Sequence, residues 1–376
     1  MAQPRISGWE LGALAFLHTI GTSTLLMPSE YALQDTWMSI LIAAAAALLA
    51  TVVWVRLAAR FPGRTPFRYA MDALGPVFGT IVSFVFIVYL VHLAALVVRN
   101  ITEMYSTSVL TRTPPIVFSG TLVLFSAWLV RAGLEPLARV ADLLAPLVGV
   151  VVLSLVVFRF ATPGLMQGAL LLPVLERGMV PVLRQALALL AFPFAELVTF
   201  LFLIPATAHP ARAGRFLAGA IVISSLVLAS VFIGNLLSLG PNELGRMNFP
   251  SLVSIQQVQL GQFFQRIDVL GIFVWTAGSF VKLAVSHYVG VLGVAEMCSL
   301  EDPRPVAGPL AFLIATLSIA VYNNLPEMTE FALRAFPLYA PVVQIGLPLV
   351  MLVAASVRAR SRRRGRAAAR KPAKVE

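Results

Sequence analysis

The sequence divides into about ten apolar segments, each close to the roughly 20 residues that an α-helix needs to cross a bilayer. Hydrophobic residues make up 59% of the chain and charged residues only 12%, whereas a soluble domain carries about twice that charged fraction. This pattern predicts an all-α integral membrane protein. The predicted spans lie near residues 9–27, 37–57, 78–98, 115–130, 140–158, 182–204, 216–239, 267–294, 306–322 and 335–357.

The first apolar segment is interrupted by small and polar residues, in the run Ile20-Gly21-Thr22-Ser23-Thr24. Glycine costs about 1 kcal/mol relative to alanine inside a helix, and the hydroxyl groups compete for backbone hydrogen bonds. Because a backbone group freed inside the bilayer needs another partner, the run predicts a helix broken around a binding site. A tight helix crossing is the alternative interpretation, since the same small residues let helices approach closely.

The sixth apolar segment carries a matching interruption. It contains Pro193, which removes a helical hydrogen bond, and the acidic Glu196 follows closely. This segment lies five spans after the first, so the two would cross the membrane in opposite directions. Interrupted segments at corresponding positions of two halves indicate an inverted-repeat transporter fold with its binding site at the breaks. We therefore favour a broken first helix and expect repeats near residues 9–160 and 181–357, in a transmembrane domain of residues 1–357.

The distribution of basic residues predicts the side on which each loop lies. With the N-terminus inside, ten basic residues fall in inside segments and nine more in the tail 358–376, against eight outside, among them Arg159. Because inside loops are enriched in arginine and lysine, both termini are predicted to be cytoplasmic. Most of the net charge of +11 lies in the tail. We expect this tail to be disordered and to fix the topology or bind anionic lipid, and we expect no nucleic-acid partner.

Two charged residues lie deep within predicted spans. Lys282 is in the middle of the eighth span and Glu196 is in the sixth. An intramembrane charge is costly and marks a functional site by default. Lys282 can form a structural pair with Glu196 or with backbone carbonyls at the first break, or it can carry a proton. Glu196 can pair with Lys282, bind a ligand ammonium, carry a proton, or stay protonated and hydrogen-bonded to a neighbouring helix.

The sequence contains no nucleotide-binding loop, nucleophile motif or metal-ligand signature. We therefore predict no enzymatic activity, no cofactor and no metal site.

Several short motifs and one long block resemble a known family. They are Ile20-Gly21-Thr22 with Pro28, Arg60-Phe61-Pro62-Gly63-Arg64-Thr65, Arg99 with Glu103, Gly133-Leu134-Glu135 with Ala138-Arg139, Phe192-Pro193-Phe194 with Glu196, and the block from Phe249 through Phe264-Gln265 and Trp275 to Lys282. From Ile6 to about Val357 the chain resembles the spore-germination permease family. That family supplies the B subunit of nutrient germinant receptors, within the amino acid–polyamine–organocation transporter superfamily.

The resemblance implies a ten-span, LeuT-type five-plus-five inverted repeat with broken helices one and six. It implies a sensor in the inner membrane of the spore that binds a small nutrient, commonly an L-amino acid. The implied partners are a receptor A subunit and a lipoprotein C subunit. Two departures from the family pattern are Thr24, where a second glycine is common, and the arginine-rich tail.

Combining the resemblance with the residues predicts a ligand site at the two breaks. The ligand carboxylate would meet N–H groups and hydroxyls of the first break, at the positive end of a second half-helix. The ammonium would meet carbonyls beside the breaks, and Lys282 would stand in for a coupling cation between spans one and eight. The predicted ligand-binding residues are Ile20, Gly21, Thr22, Ser23, Thr24, Tyr89, Leu93, Phe192, Phe194 and Glu196.

Two other functions are compatible with the sequence. One is a proton-coupled amino-acid transporter, which would have the same fold and the same site. The other is a structural or pore-forming membrane subunit that binds no nutrient.

Overall fold

The computed structural model describes residues 5–27, 29–259 and 266–369. Two parts of the family motifs, Pro28 and residues 264–265, lie outside the described residues. The regular structure within the described ranges is helical, apart from one isolated bridge between Ile6 and Thr207. This confirms the predicted all-α class.

The α-helices follow the predicted segments closely. In chain order they are α1 (Gly8–Ile20), α2 (Thr36–Arg60), α3 (Pro66–Leu74), α4 (Pro76–Met104), α5 (Pro115–Ala132), α6 (Leu134–Ala161), α7 (Met179–Leu189), α8 (Ala213–Leu239), α9 (Pro241–Leu244), α10 (Pro250–Gln256), α11 (Asp268–Met297), α12 (Ala307–Ala320), α13 (Leu325–Glu330), α14 (Phe336–Pro341) and α15 (Leu347–Ala369).

In the described residues, eight helical stretches are long and apolar enough to cross a membrane. The first and ninth predicted segments form shorter helices, α1 and Arg304–Ala320, so the number of ten crossings stays a prediction. The eight stretches are Leu33–Arg60, Pro76–Val109, Pro115–Ala132, Leu134–Ala161, Met179–Phe202, Pro210–Leu239, Asp268–Met297 and Leu325–Ala359.

The first predicted break is present, and α1 ends at Ile20. A single 3₁₀ turn, Thr22–Thr24, follows, and the Thr24 hydroxyl donates to the Ile20 carbonyl over 2.9 Å. The expected second half-helix is wrong for the described residues, because residues 25–27 continue no helix beyond this single turn. A ligand carboxylate accordingly finds no long helix N-terminus at this break.

The close-crossing interpretation of the same residues is also correct. A side-chain carbon added at Gly21 would overlap the backbone of Gly278 in α11, and one added at Gly278 would overlap the Cα of Gly21. The two glycines therefore let the first break lie directly against α11.

The second predicted break lies at Phe192, whose backbone is non-helical (φ −135°, ψ 115°). Beyond it the chain continues as a buried 3₁₀ helix, Ala195–Phe202. Both breaks lie in the protein interior: the first packs against α4, α8 and α11, and the second against α2, α7 and α14.

On the predicted inner side of the bundle, the N-terminal segment is hydrogen-bonded to the chain beyond the second break. The Ile6 N–H donates to the Ala206 carbonyl over 3.0 Å, and the Ala208 N–H donates to the Ile6 carbonyl over 2.8 Å. On the same side, Thr65 donates to Glu296 over 2.6 Å and thereby ties the loop before α3 to the end of α11.

The last helix, α15, continues to Ala369 and so enters the arginine-rich tail. Residues 370–376 lie outside the described residues, and a disordered tail stays a prediction for them.

Candidate functional site

A cavity of about 390 Å³ lies beside the second break, α4 and α11, and Leu26 and Met27, which follow the first break, also line it. Away from the breaks it is bordered by residues 244–248, before α10, and by residues 328–334, which precede the tenth segment. These residues lie on the predicted outer side, opposite the contacts of Ile6. The residues that line its floor are Leu93, Phe192, Glu196 and Lys282.

A buried ion pair forms part of this floor. The Lys282 ammonium contacts the Glu196 carboxylate, and neither residue is exposed to solvent. Lys282 Nζ also lies 3.4 Å from the Thr22 hydroxyl and 4.7 Å from the centre of the Phe192 ring. Of the alternatives open for Glu196, the structure therefore contains pairing with Lys282. This one ammonium connects α11 with both breaks.

Glu196 keeps one oxygen that the ion pair does not use. Its Oε2 atom meets Lys282, while Oε1 is buried and has no hydrogen-bond partner among the described residues. The buried hydroxyl of Ser23 is likewise without a partner in the described part of the chain. Because buried polar atoms in proteins are nearly always hydrogen-bonded, the free carboxylate oxygen is suited to accept from a donor that enters the cavity.

Behind the cavity, Gln344 holds the tenth segment against the second break. Its Nε2 donates to the Tyr89 hydroxyl over 2.8 Å and to the Ala191 carbonyl over 2.9 Å. The Trp54 indole donates to the backbone carbonyl of Gln344 over 2.9 Å. The amide thus satisfies a backbone carbonyl beside the break, as the bilayer interior requires. Sequence reasoning missed Gln344, although it is the only amide in the apolar segment 335–357.

The structure brings some of the predicted site residues to the cavity and leaves others behind its walls. Those that line it are Leu93, Phe192, Glu196 and Lys282. Thr22 does not line the cavity, but its hydroxyl contacts the Lys282 ammonium. Ligand contact by the remaining residues stays a prediction. These residues, which are buried and do not line the cavity, are Ile20, Gly21, Ser23, Thr24, Tyr89 and Phe194.

Two solved structures have a similar fold. MhsT, crystallised in complex with L-phenylalanine, matches with a TM-score of 0.69 and 13% identity over 94% of this chain and 89% of MhsT. Mhp1, a nucleobase-cation-symport-1 family transporter in a closed conformation with bromovinylhydantoin bound, matches with a TM-score of 0.59 and 12% identity over 91% of this chain and 78% of Mhp1. The fold with its two interrupted segments is therefore that of a LeuT-type membrane protein.

Sequence comparison identifies the family within this class. The family model described as "Spore germination protein" matches residues 5–328. Among relatives in Bacillus subtilis (strain 168), spore germination protein KB is 29% identical over 94% of this chain and 95% of that protein. The putative spore germination protein YfkT is 26% identical over 86% of this chain and 87% of that protein. The chain belongs to the spore germination permease family.

Membership confirms the resemblance that the sequence motifs indicated. The family and the fold are those of transporters and receptors rather than of enzymes. They also confirm an integral membrane protein.

Proposed function

We propose that this protein is the membrane subunit of a spore germinant receptor and binds a small nutrient in the cavity above Lys282 and Glu196. The observation that carries the proposal is a cavity whose floor is a buried ion pair at the junction of two broken helices. Membership of the spore germination family supports the biological setting. Ligand sites of this fold type lie at such interrupted helices.

The charges of the site favour a ligand without net charge. Lys282 and Glu196 neutralise each other, so an ion with net charge would be buried without compensation, at a high cost in free energy. A zwitterion can place its carboxylate near Lys282 and Thr22 and its ammonium near Glu196 Oε1. Both contacts would be charge-assisted hydrogen bonds.

The walls of the cavity favour an apolar side chain. It is lined by the apolar side chains of Leu93, Leu96, Val97, Met328 and Phe336, and also by polar residues, among them Glu30, Asn100 and Arg246. The apolar groups offer no hydrogen bonds, so a polar group buried against them without a partner would lose free energy. The ligand class that matches both the neutral ion pair and the apolar lining residues is an L-amino acid with an apolar side chain. The complex of MhsT with L-phenylalanine is compatible with this choice.

Signalling would follow from the position of Lys282 between three elements. Its ammonium contacts Thr22 at the first break and Glu196 beyond the second break. Lys282 itself belongs to α11, the third element. In this proposal Lys282 occupies the place of a coupling cation. A ligand that competes for either partner would shift the equilibrium between two arrangements of these elements. The A subunit and the lipoprotein C subunit would read that shift in the spore inner membrane, with both termini of this chain cytoplasmic.

A proton-coupled amino-acid transporter is the second candidate, and one observation favours it. The cavity lies toward the predicted outer side, while the backbone contacts of Ile6 join two segments on the predicted inner side. Such an arrangement is one of the two states of alternating access. Uptake of amino acids into proteoliposomes separates a transporter from a receptor that only senses.

The proposal is tested by measuring dipicolinate release from spores with and without this gene, across a panel of amino acids. Loss of the response to one or a few apolar amino acids in the deletion strain is expected. The contrary outcome has two parts: deletion in a strain that lacks sister receptors leaves the response to every amino acid unchanged, and the purified protein takes up amino acids. That outcome would favour the transporter over the receptor.

A further inference from the structure

A second charged group is buried far from the ion pair, near the C-terminal end of α6. The side chain of Arg159 is 1% exposed, although the sequence placed it among the basic residues of an outside loop. Its Nη2 atom donates to Asn235 Oδ1 over 2.9 Å, and its Nε atom is buried without a hydrogen-bond partner. Within the described ranges, Arg159 forms no ion pair with a carboxylate.

This arrangement leaves a full positive charge without compensation. Arginine stays protonated in proteins, and a buried ion without an opposite charge is very costly in free energy. The amide of Asn235 offers only a dipole. Buried charges in proteins are paired or bind a counter-ion, so the guanidinium is suited to hold an anion.

A small cavity of about 20 Å³ is lined in part by Arg159. Its volume corresponds to about one water-sized sphere, which admits a monatomic anion and excludes phosphate or sulfate. The other polar residues that line it are Thr24 and Ser251, whose hydroxyls already donate to the Ile20 and Thr24 carbonyls, so Arg159 is the donor left for an anion. The other lining residues are Val152, Leu155, Val231, Ile255, Gly271, Val274 and Trp275.

A chain of hydrogen bonds connects this cavity to the first break. Asn235 accepts from Arg159 and donates from Nδ2 to Ser251 Oγ over 2.8 Å. The Ser251 hydroxyl in turn donates to the Thr24 carbonyl. The relay therefore runs from α6 through α8 and α10 to the 3₁₀ turn Thr22–Thr24.

We propose that Arg159 and the adjoining cavity bind one halide-sized inorganic anion, chloride under physiological conditions. The anion neutralises the buried guanidinium and stabilises the relay that holds α10 on the first break. This site is separate from the nutrient cavity and does not depend on the identity of the nutrient.

The test measures thermal unfolding of the purified full-length protein in detergent while sodium chloride replaces sodium gluconate at constant ionic strength. We expect a saturable rise of Tm by a few degrees with chloride and with bromide, and no such rise with sulfate. In Arg159→Gln the halide dependence should disappear. The matched control Arg131→Gln, at an exposed position near the end of α5, should retain it.

A second variant keeps the test decisive if Arg159→Gln fails to fold. Asn235→Asp places a carboxylate where the amide oxygen already accepts from Arg159, and so supplies a tethered anion. Because the carboxylate lacks the Nδ2 donor to Ser251 Oγ, the absolute Tm of this variant is not the readout; we expect no rise of its Tm when chloride replaces gluconate. A wild type without a halide-specific rise, or an Asn235→Asp variant that keeps the full rise, would overturn the proposal.

Discussion

The Lys282 ammonium and the Glu196 carboxylate form an ion pair from which solvent is fully excluded. Glu196 lies just beyond the second break, and Lys282 reaches the first break through Thr22. The pair thus joins the interruptions of the two halves of the chain.

Breaking this pair from one side should destabilise the protein strongly. Removing one partner of a buried ion pair leaves the other charge uncompensated and costs about 3–5 kcal/mol. We expect Lys282→Met and Glu196→Leu each to lower Tm and protein level, while the double variant recovers most of the stability but not the nutrient response. The measurement is thermal unfolding of the purified variants in detergent.

An exposed ion pair provides the matched control. Arg334 and Glu330 are paired on the surface, with side chains 69% and 66% exposed, and such pairs contribute about 0–1 kcal/mol. Arg334→Met should therefore leave Tm nearly unchanged. If Lys282→Ala left both the protein level and the nutrient response at wild-type values, the role of the buried pair would be wrong.

The contact between Gly21 and Gly278 should tolerate no side chain. Because an added methyl group would overlap backbone on the other element, Gly278→Ala should destabilise by about 1–3 kcal/mol, as overpacking does. Gly219→Ala in α8 is the control, since nothing lies within 4 Å of an added carbon there. It should be neutral or stabilising by up to about 1 kcal/mol. Equal Tm values for the two variants in a thermal melt would contradict the close crossing.

Gln344 and Tyr89 should differ in their importance. Tyr89→Phe removes one hydrogen bond but leaves Gln344 bonded to the Ala191 carbonyl, so it should cost about 1 kcal/mol. Gln344→Leu leaves both the Ala191 carbonyl and the Tyr89 hydroxyl without this donor, so it should cost more, about 2–3 kcal/mol. Unfolding of both variants in denaturant measures the difference, and a larger loss for Tyr89→Phe would refute the arrangement.

The features predicted correctly from the sequence are those that are rare in a membrane span. A continuous apolar helix is disfavoured by Gly21 with its neighbouring hydroxyls, by Pro193, and by the charges of Glu196 and Lys282. These residues therefore indicate the breaks and the polar centre from the sequence alone. The pairing of Glu196 with Lys282 stood among the alternatives because only these two charges lie deep within predicted spans.

The features that were missed depend on packing between distant elements. Arg159 lies at the edge of an apolar segment, where a surface arginine is the ordinary interpretation, and only the contact with Asn235 reveals its burial. In the described residues no second half-helix follows the first break, and the Ser251 hydroxyl donates to the Thr24 carbonyl there. The contact of Ser251 with Thr24 joins residues far apart in the chain and cannot be read from local sequence.

The central claim, a nutrient site above the ion pair, is tested most directly by ligand binding to purified variants of α4. Leu93 lines the cavity, whereas Val88 on the same helix is 50% exposed on the outer surface of the bundle. The measurement is isothermal titration of wild type, Leu93→Trp and Val88→Trp with apolar and charged L-amino acids. We predict that wild type and Val88→Trp bind an apolar amino acid better than arginine or glutamate, and that Leu93→Trp loses at least about tenfold in affinity, about 1.4 kcal/mol. Unchanged binding by Leu93→Trp would contradict the account.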